Sequence, residues 1–156
     1  KRQVLSIGSN MEDRRALLQT VFDEFAAETI AVSPVYATPP WGVTDQDEFL
    51  NAVLIVDVEE SPLELLHRGQ KLEEAAERVR VRHWGPRTLD VDIVQIDGVT
   101  STDPELTLPH PYAHERAFVL VPWLAADPHA ELNGTPVSEL IASLDSTEVA
   151  AVKEVG

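Results

Sequence analysis

The chain has no cysteine and only one methionine. Without thiols it can build neither a disulfide framework nor a thiolate metal centre. Basic residues are scarce as well: 12 Lys and Arg stand against 27 Asp and Glu, for a formal net charge of -15. A surface of that sign repels nucleic acid, so no nucleic-acid partner is expected and a broad phosphate-backbone footprint is excluded. Long apolar runs are missing too. The longest, Ala117 to Ala126, is interrupted by Pro122 and reaches only about half of the roughly 20 residues a membrane span needs, so no membrane role is expected. The 7 glycines are scattered, and no GxxxxGK(S/T) phosphate loop exists. Nothing at the N-terminus resembles a signal or transit peptide, which favours a cytoplasmic protein. With 156 residues and 44% apolar content, one domain over residues 1–156 is expected, working as a monomer on small molecules.

Against this acidic background one stretch stands out. Arg78 to Asp92 is a cationic loop running into an anionic strand, and four of the nine arginines (Arg78, Arg80, Arg82 and Arg87) fall inside it. Crowded guanidinium groups call for an anion among them. Asp90 and Asp92 follow two residues apart in a β-type run, so both carboxylates leave the same face. Their Cβ atoms then lie roughly 7 Å apart, close enough to share a hard divalent cation. Arginines beside a metal-holding Asp pair are the two halves of a site for a magnesium polyphosphate.

In chain order, Gln3 to Ile7 reads as a strand, with Asn10 as a helix N-cap and an amphipathic helix from Met11 to about Ala27. Thr29 to Tyr36 reads as a second strand interrupted by Pro34. A turn-rich loop runs from Thr38 to about Glu48, and Phe49 to Val58 is apolar enough for a central strand. Ser61-Pro62-Leu63-Glu64 is a capping box opening a helix to about Glu77. Leu89 to Ile96 is the next strand, with Leu89, Val91 and Ile93 on one face and Asp90, Asp92 and Val94 on the other. Asp97-Gly98 is a two-residue hairpin signal. Arg116 to Ala125 reads as a helix that Pro122 kinks or ends early, and Thr135-Pro136 as the start of a last helix through Leu144. The Ala, Val and Glu tail beyond Asp145 carries no signal. The order strand, helix, strand, strand, helix, strand is the split βαβ pattern of an α+β, ferredoxin-like βαββαβ sandwich with C-terminal additions.

Each candidate has two readings. Asp90-x-Asp92 is a metal pair or a solvated strand face; the arginine loop is an anion site or a basic turn paired with surface carboxylates. Trp84 and Trp41, in charged and Pro-rich loops, pack on a flat ligand or form core and rim. Asn51 offers a donor and an acceptor to a heterocycle or is a satisfied sheet residue, and His110 by itself reads as a structural histidine.

Trp84-Gly85-Pro86-Arg87-Thr88-Leu89-Asp90-Val91-Asp92-Ile93 closely resembles the signature of the 6-hydroxymethyl-7,8-dihydropterin pyrophosphokinases, enzymes of folate biosynthesis. Ile7-Gly8-Ser9-Asn10, Tyr36 to Pro40, Phe49 to Ala52, Glu73 with Arg78-Val79-Arg80, and Leu108-Pro109-His110 agree in order. The resemblance implies transfer of the pyrophosphoryl unit of ATP to the hydroxymethyl oxygen of 6-hydroxymethyl-7,8-dihydropterin, releasing AMP. It implies two magnesium ions on Asp90 and Asp92, with Arg78 and Arg87 on the phosphates. Glu73, Arg80, Ile93, Thr107 and His110 would help form the ATP site, with Arg116 nearby. Thr38, Pro39, Trp41, Phe49, Asn51 and Phe118 would line the pterin pocket under Trp84. Two positions depart from the family pattern: Glu105 stands where an arginine is frequent, and Pro111 where a tyrosine commonly follows the histidine. A non-enzymatic binding module on the same fold would need the arginines but not two metals.

Overall fold

The computed structural model describes residues 1–10, 13–39, 48–78 and 89–155. The chain runs through β1 (Arg2–Ser9), α1 (Arg14–Glu24), a 3-10 turn at Ala26–Glu28, β2 (Thr29–Val32), β3 (Tyr36–Thr38), β4 (Phe49–Asp57), α2 (Pro62–Arg78) and β5 (Asp90–Ile96). The expected second strand is thus two short strands flanking Pro34, whose missing N–H cannot join a ladder. Both pair antiparallel with β4. β4 also pairs antiparallel with β1, and β1 with β5, giving the sheet order β5-β1-β4-β3. This is the ferredoxin-like α+β arrangement that the element order predicts.

β4 is central for the reason its composition suggests, because alternate residues serve two cores. Ala52, Leu54 and Val56 join Leu5 and Ile7 beneath α1 and α2, which contribute Leu18, Val21 and Leu65, together with Phe25 at the C-cap of α1. Val53 and Ile55 join Val4 and Val94 beneath α3 (Ala117–Ala126), which contributes Val119, Leu120 and Trp123. Each of the Val, Leu, Ile and Phe side chains among them stabilises the fold by about 1.5–3 kcal/mol when fully buried. A register shift between β1 and β5 pairs Val4 with Gln95 and Leu5 with Ile93. The extra residue, Val94, and its neighbour Gln95 both turn toward the α3 side, where Gln95 bonds the Glu131 carbonyl and the Asn133 N–H at 2.9 and 2.8 Å.

Several boundaries differ from expectation. α1 begins at Arg14, with Asp13 in the N-cap position and no side-chain cap bond. Asn10 does not cap it; that side chain is buried at the end of β1. α3 does not end early at Pro122 but continues to Ala126, the bond lost at proline being offset by burial of Leu120 and Trp123 on the sheet. Thr135-Pro136 forms β7, paired with β6 (Glu131–Leu132) across Asn133-Gly134, and Pro136 is at the same time the N-cap of the helix expected here, which begins at Val137 and ends at Ala142, short of Leu144. Both turn residues have positive φ, 50° and 91°, as the tightest hairpin turns require. α4 (Val137–Ala142) follows. The tail is also ordered, as α5 (Ser146–Ala150), begun by an Asp145 side-chain bond to the Thr147 N–H at 2.7 Å, and β8 (Lys153–Glu154).

The capping box of α2 forms as its sequence dictates. The Ser61 N–H donates to Glu64 Oε1 at 2.9 Å, and the Glu64 N–H to Ser61 Oγ at 3.2 Å. Further along, Gly69 lets the helix lie close on β5, since a Cβ there would meet Val91 Cγ1 at 3.0 Å. Beside it Arg68 binds Glu24 at 2.8 Å, Glu60 at 2.7 Å and Glu28, and stacks 4.2 Å from the Phe25 ring centroid. With 19% of its side chain exposed, this guanidinium ties α2 to the end of α1 and to the loop after β4. Its hydrogen bond holds the Glu28 carboxyl below the usual carboxylate range. A carboxyl whose folded pKa is depressed adds stability above its unfolded pKa, and loses it as pH falls through the folded value. Arg68→Leu is therefore expected to destabilise by about 2 kcal/mol at neutral pH. Urea unfolding should show that deficit shrinking as pH drops below about 4; a deficit independent of pH would show that packing on Phe25, not charge, carries the effect.

Candidate active site

Register places the site. Asp90 pairs with Gly8, and Gly8 pairs with Asn51 on the other side of β1; Asp92 pairs with Ser6 one row away. Directly paired residues share a face, so both aspartates, Ser6 and Asn51 point to the α3 side of the sheet. α3 covers Val53 and Ile55 but stops short of this end. The uncovered part is a cleft of about 790 Å³. Asp90 and Asp92 line one side, Phe49, Asn51, Thr38 and Pro39 the other, and Arg116 and Phe118 at the start of α3 form the roof. Asn51 is buried and donates through Nδ2 to Thr38 Oγ1 at 3.0 Å, which fixes the amide's orientation.

The charged surroundings are organised around the aspartates. The Val91 N–H, between them in sequence, donates to Glu73 Oε2 of α2 at 2.8 Å. β5 ends the sheet order, so this carboxylate satisfies an edge amide that no strand pairs. His110 hangs from the same strand through a 2.8 Å bond from its N–H to the Val94 carbonyl. Burial pushes its imidazole pKa down, the Asp92 charge pulls it up, and Arg116 pushes it down again. Its Nδ1 accepts from the Tyr112 N–H at 3.2 Å, so in the neutral ring the proton is on Nε2, a donor. The Arg116 guanidinium lies 5.7 Å from the Tyr112 ring and 5.6 Å from the Phe118 ring, one cation between two aromatic faces.

Eight of the residues singled out in the sequence thus line one cavity: Thr38, Pro39, Phe49, Asn51, Asp90, Asp92, Arg116 and Phe118. Others do not reach it. The Ile93 side chain is buried in the core under α1 and α2, leaving only backbone to offer a ligand. Thr107 bonds the Asp103 carbonyl at 3.1 Å in an exposed turn, and Arg78 is the exposed last residue of α2. Trp41, Arg80, Arg82, Trp84 and Arg87 lie outside the described residues. Sequence reasoning missed Ser6, Gly8 and Glu115, and also Thr147, Glu148, Ala151 and Val152 of the tail, all of which line the cleft. Gly8 did carry a signal, since a glycine inside an apolar strand marks close approach. The tail carried none.

No group of three or more His, Cys, Asp or Glu side chains that could hold a metal exists among the described residues. The donor set is two carboxylates on one strand face, opening into a cleft that is otherwise lined largely by apolar groups. That set fits magnesium, which binds through one or two carboxylates and fills its remaining octahedral positions with water and substrate phosphate oxygens.

The close approach at Gly8 has a measurable consequence. A Cβ there would sit 2.8 Å from Asn51 Oδ1, so Gly8→Ala must displace the buried amide or its strand. The expected cost is about 1–3 kcal/mol. Asn51→Ala removes the obstruction, so the double variant should be less destabilised than the sum of the two single ones. Additive unfolding energies would show that the Gly8 backbone does not support the Asn51 amide.

A model of the family "7,8-dihydro-6-hydroxymethylpterin-pyrophosphokinase (HPPK)" matches residues 4–128. The 2-amino-4-hydroxy-6-hydroxymethyldihydropteridine pyrophosphokinase of Mycobacterium tuberculosis is 46% identical over 166 residues, spanning 97% of this chain and 88% of the relative. Its counterpart from Mycobacterium leprae is 48% identical over 167 residues (97% and 87%), and that from Methylorubrum extorquens 42% identical over 156 (97% and 99%). Among solved structures, the Plasmodium falciparum HPPK-DHPS superposes with a TM-score of 0.66 at 14% identity, covering 90% of this chain and 45% of that one, a likeness of fold. The chain belongs to the 7,8-dihydro-6-hydroxymethylpterin-pyrophosphokinase family.

Proposed function

We propose that this protein transfers the pyrophosphoryl group of ATP to the hydroxymethyl oxygen of 6-hydroxymethyl-7,8-dihydropterin, releasing AMP, and that residues 1–156 act as a single catalytic domain. One observation carries the reading: the Asp90 and Asp92 carboxylates and the Phe49, Asn51 and Phe118 side chains line the same cavity. A flat heterocycle and a metal-bound polyphosphate therefore have adjoining places. The Phe49 and Phe118 rings suit the faces of a pterin, and the Asn51 amide, held by Thr38, offers the paired donor and acceptor that its edge requires.

In the reaction the pterin hydroxyl oxygen attacks the β-phosphorus of ATP. The bond from that phosphorus to the bridging oxygen of the α-phosphate breaks, AMP leaves with the bonding pair, and the hydroxyl proton is released. Because substrate and leaving group are both polyanionic, positioning and charge neutralisation dominate the barrier. Asp90 and Asp92 would hold two magnesium ions, which when bound supply positive charge to the phosphates and lower the pKa of the attacking hydroxyl. Arg116 and neutral His110, with its proton on Nε2, add protein donors beside the pair, with Arg78, Arg80 and Arg87 as further phosphate ligands, Trp41 as part of the pterin pocket and Trp84 as the residue that closes over it. Glu73 serves the nucleotide site by holding the edge of β5 at Val91. The small, diffusible substrates support a cytoplasmic enzyme.

The direct test is AMP formation from ATP with and without 6-hydroxymethyl-7,8-dihydropterin. AMP released only with the pterin present supports the transfer; none under either condition leaves a binding module and overturns it. Asp92→Ala is expected to lower turnover at least about a thousandfold, or about 4 kcal/mol of barrier, with an unchanged circular dichroism spectrum. Turnover near that of the unaltered enzyme in magnesium would remove the aspartate pair from the mechanism.

A further inference from the structure

We infer that the C-terminal segment from Ser146 to Val155 is a working wall of the pterin site: a strap that sets the gap between the two sides of the cleft and so the size of ring accepted. The inference rests on the pterin reading of that cleft and extends it beyond residue 128, where the family match ends. Thr147, Glu148, Ala151 and Val152 all line the cavity. Their spacing places them on one face of α5 and its last turn. The segment is also fastened at both ends. α5 packs against α3, which carries Arg116 and Phe118 at its start. β8 pairs with β3, Glu154 opposite Tyr36 and Lys153 opposite Ala37, next to Thr38. The Val155 N–H donates to the Val35 carbonyl at 2.9 Å, and Arg15 Nη2 donates to the Val155 carbonyl at 3.3 Å.

The strap therefore joins the strand that carries Thr38 and Pro39 to the helix that carries Phe118. Those are the two surfaces between which the flat ring is proposed to sit. Nothing else in the described residues of the tail gives it a role in the sheet: β8 is only two residues long and both are exposed. A strand that short contributes little stability by itself, whereas holding β3 and α3 at a set separation determines how a ring fits between them.

Titration calorimetry with 6-hydroxymethyl-7,8-dihydropterin, in the presence of magnesium and a non-hydrolysable ATP analogue, tests this. Ala151→Trp fills the cavity from the strap side, and truncation after Leu144 removes the strap. Each is expected to weaken pterin binding about tenfold or more, while affinity for the ATP analogue stays within about twofold. A purely structural role would lower both affinities together with the melting temperature. Asn51→Ala and Phe118→Ala in the full chain report on the cleft itself. Should those two weaken pterin binding while Ala151→Trp binds like the unaltered protein, the strap is not part of the site and the cleft reading stands. If neither Asn51→Ala nor Phe118→Ala weakens it, the pterin lies elsewhere and both readings fall. Should the truncated chain not fold, Ala151→Trp alone decides.

Discussion

A single cross-strand row governs this structure: Asp90, Gly8, Asn51 and Tyr36 are paired in line across four adjacent strands. Because strand side chains alternate with a period of two, a slip of one residue between β1 and β5 would turn both aspartates into the core and Val91 and Ile93 into the cleft. The apolar residues under α1 and α2 forbid that slip. Hydrophobic packing on one face of the sheet thereby holds the charged site on the other. The shift at Val94 confines the irregularity to the far end of β5, away from the aspartates.

The same division explains why a cleft exists. α3 and the hairpin beyond it bury Val4, Val53, Ile55 and Val94, which makes the second face a true core. They stop before Phe49, Asn51 and Asp90. The uncovered end of the sheet is floored by backbone that Gly8 keeps low, and walled by Phe118 and the α5 strap. A larger side chain in place of Gly8 would raise the floor into the Asn51 amide. Glu73, fixed by the close packing of α2 at Gly69, steadies the strand from its open edge.

Placement of charge follows a similar economy in a chain with few cations. Arg68 is spent on three carboxylates and an aromatic ring to join α2 to α1, and Arg116 lies between two rings at the cleft. Of the other seven arginines, four (Arg78, Arg80, Arg82 and Arg87) fall in the stretch of sequence just before β5. A protein this acidic can attract a polyanion only where such groups and a bound divalent cation outweigh the surrounding field locally.

Much was legible in the residues themselves. The central strand, read as Phe49 to Val58 and found as Phe49–Asp57, the capping box at Ser61 to Glu64, the common face of Asp90 and Asp92 and the ferredoxin-like order all follow from local pattern, because periodicity and capping are properties of neighbouring residues. What the chain alone could not disclose is which distant residues meet. That Ser6 and Gly8 stand beside the aspartates depends on strand register, and that an unpatterned tail walls the cleft depends on β3 having an edge left to pair. Both are set by contacts between segments far apart in sequence, which only the folded sheet brings together.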